Sequence, residues 1–444
     1  MAPRPRSEAR RAGQGEGNAG TGMAKIYHSL YDRMLYEKGL LQAFAKVKSN
    51  KGAPGVDGQS IEDFAEHLSK EIALLVHELR QKSYRPQPVK RVEIPKPGGG
   101  KRLLGIPTVR DRVVQQALLN ILQPIFDPEF HPSSYGYRPG RSPHQAVAKA
   151  SQFIRLYGLK WVADMDVSRC FDTLNHALIL KSFRRKIADG SILELVRMFL
   201  QGGVMTGEGW QASETGSPQG GVISPLIANV YLDAFDQFMK GRGYRIVRFA
   251  DDILILTRSK SAAHNALNVA RNYLEGTLLL TVNEQKSHVV HSFTGVNYLG
   301  VEIHTGYTRI KREKVREFKD KVRRITRRNS PVNLKQVISD LSPVVRGFAN
   351  YFRVANCQRE FKVLAQWVRR RLRAKQLCLW KRAKRLHRRL RQLGYQGEYK
   401  AIKMNSWRNS ASNLASHAIP GSYLRELGLF ELTTVQTGYL PQNF

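Results

Sequence analysis

The sequence predicts an α+β or α/β body followed by a helical, strongly basic domain, and three observations carry that reading. Between about Ser83 and Gly306, segments of strand character alternate with segments of helical periodicity. Beyond Lys311 strand signals nearly vanish. From Arg359 to Arg391 the chain reads as helix, with Phe361, Leu364, Val368, Leu372 and Leu379 at helical spacing and Glu360 as its only acid.

Residues 1–22 are rich in Gly, Ala, Arg and Pro, with almost nothing to bury, and are predicted as a disordered arm; Met23 is an alternative start. Ile26 to about Leu79 is mostly helical, interrupted by the Gly- and Pro-bearing loop NKGAPGVDGQS (50–60). KRVEIP (90–95) and LKWVADMDV (159–167) read as strands, DRVVQQALLNILQPIF (111–126) and SPLIANVYLDAFDQFM (224–239) as helices. In YRIVRFADDILILT (244–257) the apolar, β-branched runs predict a hairpin with both aspartates, Asp251 and Asp252, at its tight turn.

The chain has 444 residues, 42% of them apolar, enough for real cores in two or three domains. Lys and Arg number 72 against 36 Asp and Glu, a formal charge of +36. That excess exceeds what solubility requires and points to a polyanionic partner, nucleic acid ahead of an anionic membrane. Three cysteines with no CxxC pair give no disulfide framework and no zinc site, so a reducing, intracellular compartment is expected. No run of about 18 uncharged apolar residues predicts a membrane span, and no signal peptide is evident.

The acids stand out against this basic background. In WVADMDVSRCFDTLNH (161–176) strand alternation puts Asp164 and Asp166 on one face, with Asp172 six residues beyond Asp166. Asp166 ends the apolar stretch where a strand meets a cleft and is the candidate metal ligand; Asp172 is expected to cap the next helix. Carboxylates from two neighbouring strand ends are hard oxygen ligands suited to Mg²⁺. A pair of such ions about 3.5–4 Å apart activates a hydroxyl and stabilises leaving pyrophosphate.

Six segments occur in the order and approximate spacing of the group II intron reverse transcriptases, or maturases, and the chain resembles that family from about residue 25 onward. They are IPKPGGGKRLLGIPTVRDRVVQQA (94–117), SSYGYRPGRSPHQAV (133–147), VADMDVSRCFD (162–172), TGSPQGGVISPLIANVYLD (215–233), FADD (249–252) and LTVNEQKS (280–287). The resemblance implies an α+β right-hand polymerase that follows the disordered arm (1–22): an N-terminal extension and start of the fingers (23–85), and fingers and palm with an antiparallel sheet (86–305). An α-helical basic thumb (306–392) and a small C-terminal DNA-binding domain (393–444) would follow.

The resemblance also assigns roles. Asp166 and Asp251 would bridge two Mg²⁺ ions, or Mn²⁺ in their place, with Asp252 in support and the Val167 carbonyl as a further contact. Phe171 is similar to the aromatic gate that excludes a ribose 2′-hydroxyl. Gln219 resembles the residue that contacts the nucleotide, in a GSPQGG loop (216–221) whose small residues, Gly220 among them, let backbone approach a base pair. Lys96 and Arg102 are similar to the cations that hold the triphosphate, and Lys286 to the lysine that protonates pyrophosphate. The loop at 50–58 resembles a lid over the template–primer duplex. In LSPVVRGFANYFRV (341–354) Gly347 and Ala349 would allow close approach to the duplex, and Arg346 and Arg353 would meet its phosphates, as would Arg369, Arg370 and Arg371. Residues 406–432 fall in the DNA-binding segment.

Two departures from the family pattern are evident. No Cys- and His-bearing endonuclease segment is present, so cutting a target strand is not expected, and Phe249 replaces the usual Tyr without touching the ligand chemistry. The expected activity is RNA-directed DNA polymerisation, with maturase binding of a structured intron RNA. Deoxynucleoside triphosphates, a template–primer duplex and target DNA are the other partners, no membrane is involved, and the location is cytoplasmic with nucleoid association allowed. A domesticated relative in DNA repair or phage defence, and a non-catalytic RNA-binding splicing factor, remain open alternatives at the level of sequence.

Overall fold

The computed structural model describes residues 25–95, 99–207 and 209–441. The predicted arm at 1–22 and the triphosphate candidate Lys96 lie outside the described residues.

The N-terminal part is helical, with α1 (Glu37–Ser49), α2 (Ile61–Glu66) and α3 (Leu68–Arg80). The loop at 50–60 ends where Ser60 and Asp63 form a capping box for α2. It rests on the following unit: Arg112 Nη2 donates to Ala53 O at 2.7 Å, and a Cβ on Gly55 would stand 2.7 Å from Thr108 backbone. Strands β1 (Val89–Pro95) and β2 (Lys101–Ile106) pair antiparallel and precede α4 (Val109–Phe126). Helix α4 is buried on nearly every side, including the polar Asp111, Arg112, Gln115 and Gln116.

Helix α5 (Pro143–Arg155), capped by Ser142, leads into β3 (Trp161–Asp166). The short α6 (Cys170–Thr173), α7 (His176–Arg184), α8 (Gly190–Gln201), the strands β4 (Val204–Thr206) and β5 (Gly209–Gln211), and the long α9 (Ser224–Gly241) follow. Asp172 does not cap α7 as expected; it lies inside α6, and Asn175 accepts the α7 N-cap bond from Leu178 N. The predicted hairpin is β6 (Arg245–Phe249) and β7 (Asp252–Thr257), after which come α10 (Lys260–Gly276), β8 (His288–His291) and the small antiparallel sheet β9 (Val296–Tyr298), β10 (Val301–Ile303) and β11 (Thr308–Ile310).

The central sheet has the order β6-β7-β3-β8, every pair antiparallel. Its two faces serve two cores, and the side-chain alternation decides which. Ala163, Met165, Ile246, Ile253 and Ile255 pack with α4, α7 and α9. Val162, Val247, Leu254 and Leu256 pack with α5, the small sheet and the C-terminal helices. Each such Val, Leu, Ile or Met side chain contributes roughly 1.5–3 kcal/mol when fully buried, so a one-residue slip of β7 would exchange both cores and is strongly disfavoured.

From Arg312 the described chain is helical: α11 (Arg312–Ile325), α12 (Leu334–Phe352), α13 (Gln358–Trp380), α14 (Ala383–Gln392), α15 (Asn413–Ala418) and α16 (Gly421–Glu426). The helix expected over 359–391 is two. It breaks at Lys381, which has φ +58°, and the turn brings Leu386 and Leu390 back onto the core. Leu377 takes the buried position near the end of α13, while Leu379 is half-buried. Of the two small residues expected on the duplex face of α12, only Gly347 is open; Ala349 is fully buried.

Candidate active site

The β6–β7 connection is two residues, Ala250 and Asp251, between the paired Phe249 and Asp252. Only Asp251 is therefore in the turn; Asp252 begins β7. Ala250 takes φ +59°, a backbone region that costs a residue with a Cβ and persists only when its surroundings impose it. Gly136 is one such constraint, since a Cβ there would stand 2.3 Å from Ala250 N.

Directly opposite Asp252 in the ladder is Asp166, the last residue of β3. Cross-strand partners share a face, so both carboxylates stand at one edge of the sheet beside Asp251, with Asp164 two residues further in. The Lys286 ammonium lies 3.1 Å from Asp166 Oδ2. Its turn is fastened to β3, since Asn283 N donates to Asp166 O at 2.9 Å and Asp166 N donates to Ser287 Oγ at 3.2 Å. Ladder bonds on either side of Val167, from Asn283 N to Asp166 O and from Ser168 N to Thr281 O, face the 281–283 segment. The Val167 carbonyl is thereby turned the other way, toward the β7 side.

Burial, then the neighbouring Asp251, Asp166 and Asp164, push the Asp252 carboxyl up to about 7. Burial first, with Asp166 adding, also raises Asp251, against the pull of Arg102 and Lys286. Asp164 rises to about 6, again through burial first. Such crowded, partly desolvated carboxylates with a free carbonyl beside them are a hard-oxygen donor set, which fits divalent cations. Among the described residues no three His, Cys, Asp or Glu side chains converge to enclose an ion by themselves.

Asp166 and Asp251 open into a cavity of ≈ 890 Å³ that Arg102, Val167, Gln219 and Lys286 also line, whereas Asp252, Phe171 and Gly220 stand outside its lining. Arg102 reaches it from the exposed strand β2. The 216–221 loop is held on three sides. Gly105 N donates to Gln219 O at 2.6 Å, Val222 N donates to Gln115 Oε1 at 2.7 Å, and Ser217 N donates to Phe171 O at 2.7 Å. Gly220, at φ +116°, lets this loop approach β2, since a Cβ would meet Gly105 O at 2.4 Å. Phe171 is half-buried, its ring edge-on to Tyr137 at 6.1 Å between centroids.

Sequence reasoning missed a buried brace behind the turn. Arg248 is fully buried and bound to Asp236, Asn229 and Ala250 O. The signal was present: an arginine in the middle of an apolar strand, RIVRF, must have an acidic partner.

Comparison with known proteins agrees with this geometry. Residues 94–303 match the family described as reverse transcriptase (RNA-dependent DNA polymerase), and 315–394 match the group II intron, maturase-specific domain. Protein YkfC of Escherichia coli (strain K12) is 34% identical over 300 residues, covering 59% of this chain and 79% of that protein. The chain belongs to the group II intron-type reverse transcriptases. The group II intron-encoded protein LtrA of Lactococcus lactis subsp. cremoris is 35% identical over 227 residues, 50% of this chain, and the match spans only 37% of LtrA. A chain of the partial Cas6-RT-Cas1–Cas2 complex aligns at 24% identity and a TM-score of 0.37 over 56% of this chain and 43% of that one, too distant a likeness to argue from. This reverse transcriptase is by class an RNA-directed DNA polymerase with nucleic acids as partners, and divalent-metal dependence goes with its family in general. Among the described residues, no helix is long and apolar enough to cross a membrane.

The maturase-specific segment carries the remaining basic candidates. Arg346 is exposed on α12 and lies 5.3 Å from the Phe430 ring, beside a groove that it lines with Lys335 and Gly347. Arg353, half-buried, sits over Tyr439 at 5.2 Å. The run 369–371 does not form one phosphate-facing patch. Arg369 is paired with Glu431 at 2.9 Å, Arg370 stacks on Trp407, and Arg371 Nε donates to Thr326 Oγ1 at 2.6 Å. Consecutive residues on a helix point about 100° apart, and here each is engaged by a different neighbour. The cations that α14 leaves exposed are Lys384, Arg385, Arg388 and Arg391.

Proposed function

We propose that this reverse transcriptase extends a primer 3′-hydroxyl with deoxynucleotides on an RNA template, using Asp166, Asp251, Asp252 and the Val167 carbonyl to hold two Mg²⁺ ions, or Mn²⁺ in their place. The register that sets Asp166 opposite Asp252, with Asp251 in the adjoining turn, is the observation that carries the reading. Bound there, divalent ions would favour ionisation of the primer hydroxyl and stabilise the negative charge of departing pyrophosphate.

The chain's own side chains do the rest. Arg102 offers a bidentate fork to triphosphate oxygens from the rim of the cavity, with Lys96 as its companion. Gln219 and Gly220 bring backbone and an amide against the incoming nucleotide, and the bulk of Phe171 excludes a 2′-hydroxyl. Lys286 holds an ammonium proton at Nζ beside Asp166 and delivers it to the leaving group. The fingers and palm are assigned to 86–305 with an N-terminal extension at 23–85. The thumb is assigned to 306–392, where Arg346, Arg353 and the exposed face of α14 would follow the template–primer duplex or a structured intron RNA. Residues 393–444 are assigned to target DNA, and a cytoplasmic, nucleoid-associated location suits these partners.

Primer extension on an RNA template with Mg²⁺ tests the reading. Wild type should extend, and Asp251→Ala, folded and at equal concentration, should not. Extension by both proteins alike would remove the carboxylates from the chemistry.

A further inference from the structure

We propose that Arg248 is a positioning residue for the polymerase reaction: through the Ala250 carbonyl it fixes the strained turn that presents Asp251. The proposal rests on the reading of Asp251 as a metal-holding carboxylate and adds to it the means by which that carboxylate is held in place.

Arg248 stands three residues before Asp251 on β6 and has no exposed surface. Its side chain points to the α9 face of the sheet, away from the cavity. There Nε lies 2.9 Å from both oxygens of Asp236, and Nη2 donates to Asp236 Oδ2 at 2.6 Å. Nη1 donates to Asn229 Oδ1 at 3.1 Å and to Ala250 O at 3.0 Å. One planar group thus ties two positions of α9, seven residues apart on the same helix face, to the carbonyl of the first turn residue.

The same network reaches the turn from its other side. Asn229 Nδ2 donates to Gly136 O at 2.8 Å, and Gly136 is the residue whose backbone lies against Ala250 N. The backbone of Arg248 itself is held by this loop: its N donates to Ser133 O and its O accepts from Tyr135 N, both at 2.9 Å. The positive-φ alanine is therefore gripped at its carbonyl by Arg248 and crowded at its nitrogen by Gly136, with Asn229 linking the two. A backbone conformation of this kind persists when its surroundings over-determine it.

Stability alone does not account for a fully buried ion pair here. Replacing both partners of such a pair with apolar groups of similar volume is often neutral or stabilising, whereas removing one partner leaves an uncompensated charge. What apolar groups cannot supply is a donor aimed at Ala250 O. Loss of that bond leaves the fold and frees the turn, and a catalytic group displaced by about 1 Å can cost on the order of 10²-fold in rate.

The test is single-nucleotide incorporation on an RNA template–primer by the full chain, measured across deoxynucleotide and Mg²⁺ concentrations, with thermal melting and template–primer affinity recorded alongside. Arg248→Met combined with Asp236→Leu should fold and bind template–primer as wild type does. Its maximal rate should fall by about tenfold to 10²-fold, its half-saturating Mg²⁺ concentration should rise, and its KM for the deoxynucleotide should stay unchanged. Arg248→Lys keeps a charge opposite Asp236 without the fork that also spans Ala250 O, so melting should stay near that of wild type while the rate falls. Should the double variant fail to fold, Asn229→Ala, which cuts the link between Arg248 and Gly136, should show the same split of rate from KM at smaller amplitude. Wild-type rate and Mg²⁺ dependence per folded molecule in these variants would overturn the proposal, as would a loss that follows the folded fraction alone. Failure of wild type to extend, or full activity in Asp251→Asn, would instead overturn the polymerase reading beneath it.

Discussion

Asp252 is the residue at which the cost of building this site is most visible. Burial and three neighbouring carboxylates raise its pKa to about 7, against an ordinary value of 3.8. Between those values the folded, metal-free chain holds a proton that the unfolded chain has released, so this group's contribution to stability is present at low pH and declines as pH rises through the folded value. In EDTA the melting temperature should fall from about pH 4 to about pH 7, and Asp252→Asn should remove part of that fall. Mg²⁺ at the upper pH should return stability to wild type and little to the variant; a pH profile identical in the two proteins would show that Asp252 is not the group concerned. Phe171 gives a second residue-scale prediction. Phe171→Ala should let ribonucleotides compete, eroding a discrimination of about 10²-fold that sterics can supply, and Tyr137→Ala, which removes the ring against its edge, should do so to a lesser degree. Unchanged sugar selectivity in Phe171→Ala would take it out of the gate.

At the scale of elements, the close approach of the 133–137 loop to the β6–β7 turn is the most exacting contact. Gly136→Ala puts a methyl 2.3 Å from Ala250 N, and the expected result is a loss of roughly 1–3 kcal/mol of stability together with slower incorporation. The basic helices separate by what their charges already touch. Replacing Arg385, Arg388 and Arg391 of α14 by Ala should flatten the salt dependence of duplex or RNA affinity by roughly 0.7–0.9 log units per log unit of salt for each phosphate no longer neutralised. Replacing Arg369, Arg370 and Arg371 should instead lower the melting temperature, because Glu431, Trp407 and Thr326 hold them within the fold. An unaltered slope in the α14 variant would place the nucleic acid on another face.

At the scale of the molecule, what could be read from sequence was what local periodicity determines. Alternation along 161–166 showed a strand ending in acids, the apolar, β-branched runs of 244–257 showed a hairpin with Asp251 and Asp252 at its turn, and the antiparallel ladder needed only to bring Asp166 opposite Asp252. What could not be read depended on partners far away in the chain. Arg248 is explained by Asp236 and Asn229 on another element. The 369–371 run looked like one basic patch because composition carries no direction, although helical geometry fans three consecutive side chains apart. Asp172 was misplaced because a four-residue helix, Cys170–Thr173, intervenes before the cap at Asn175. A net charge of +36 indicated a polyanionic partner but could not say which cations meet it.

The strand-end carboxylates are proposed to hold divalent metal for nucleotide transfer. Counting Mn²⁺ by electron paramagnetic resonance, with template–primer and an unreactive deoxynucleotide analogue bound, tests this most directly. Wild type should bind two Mn²⁺ ions at the site, and Asp251→Asn should bind them at least about tenfold more weakly, while its affinity for template–primer stays the same. The same number of ions, bound equally tightly by both proteins, would take Asp251 out of the metal site.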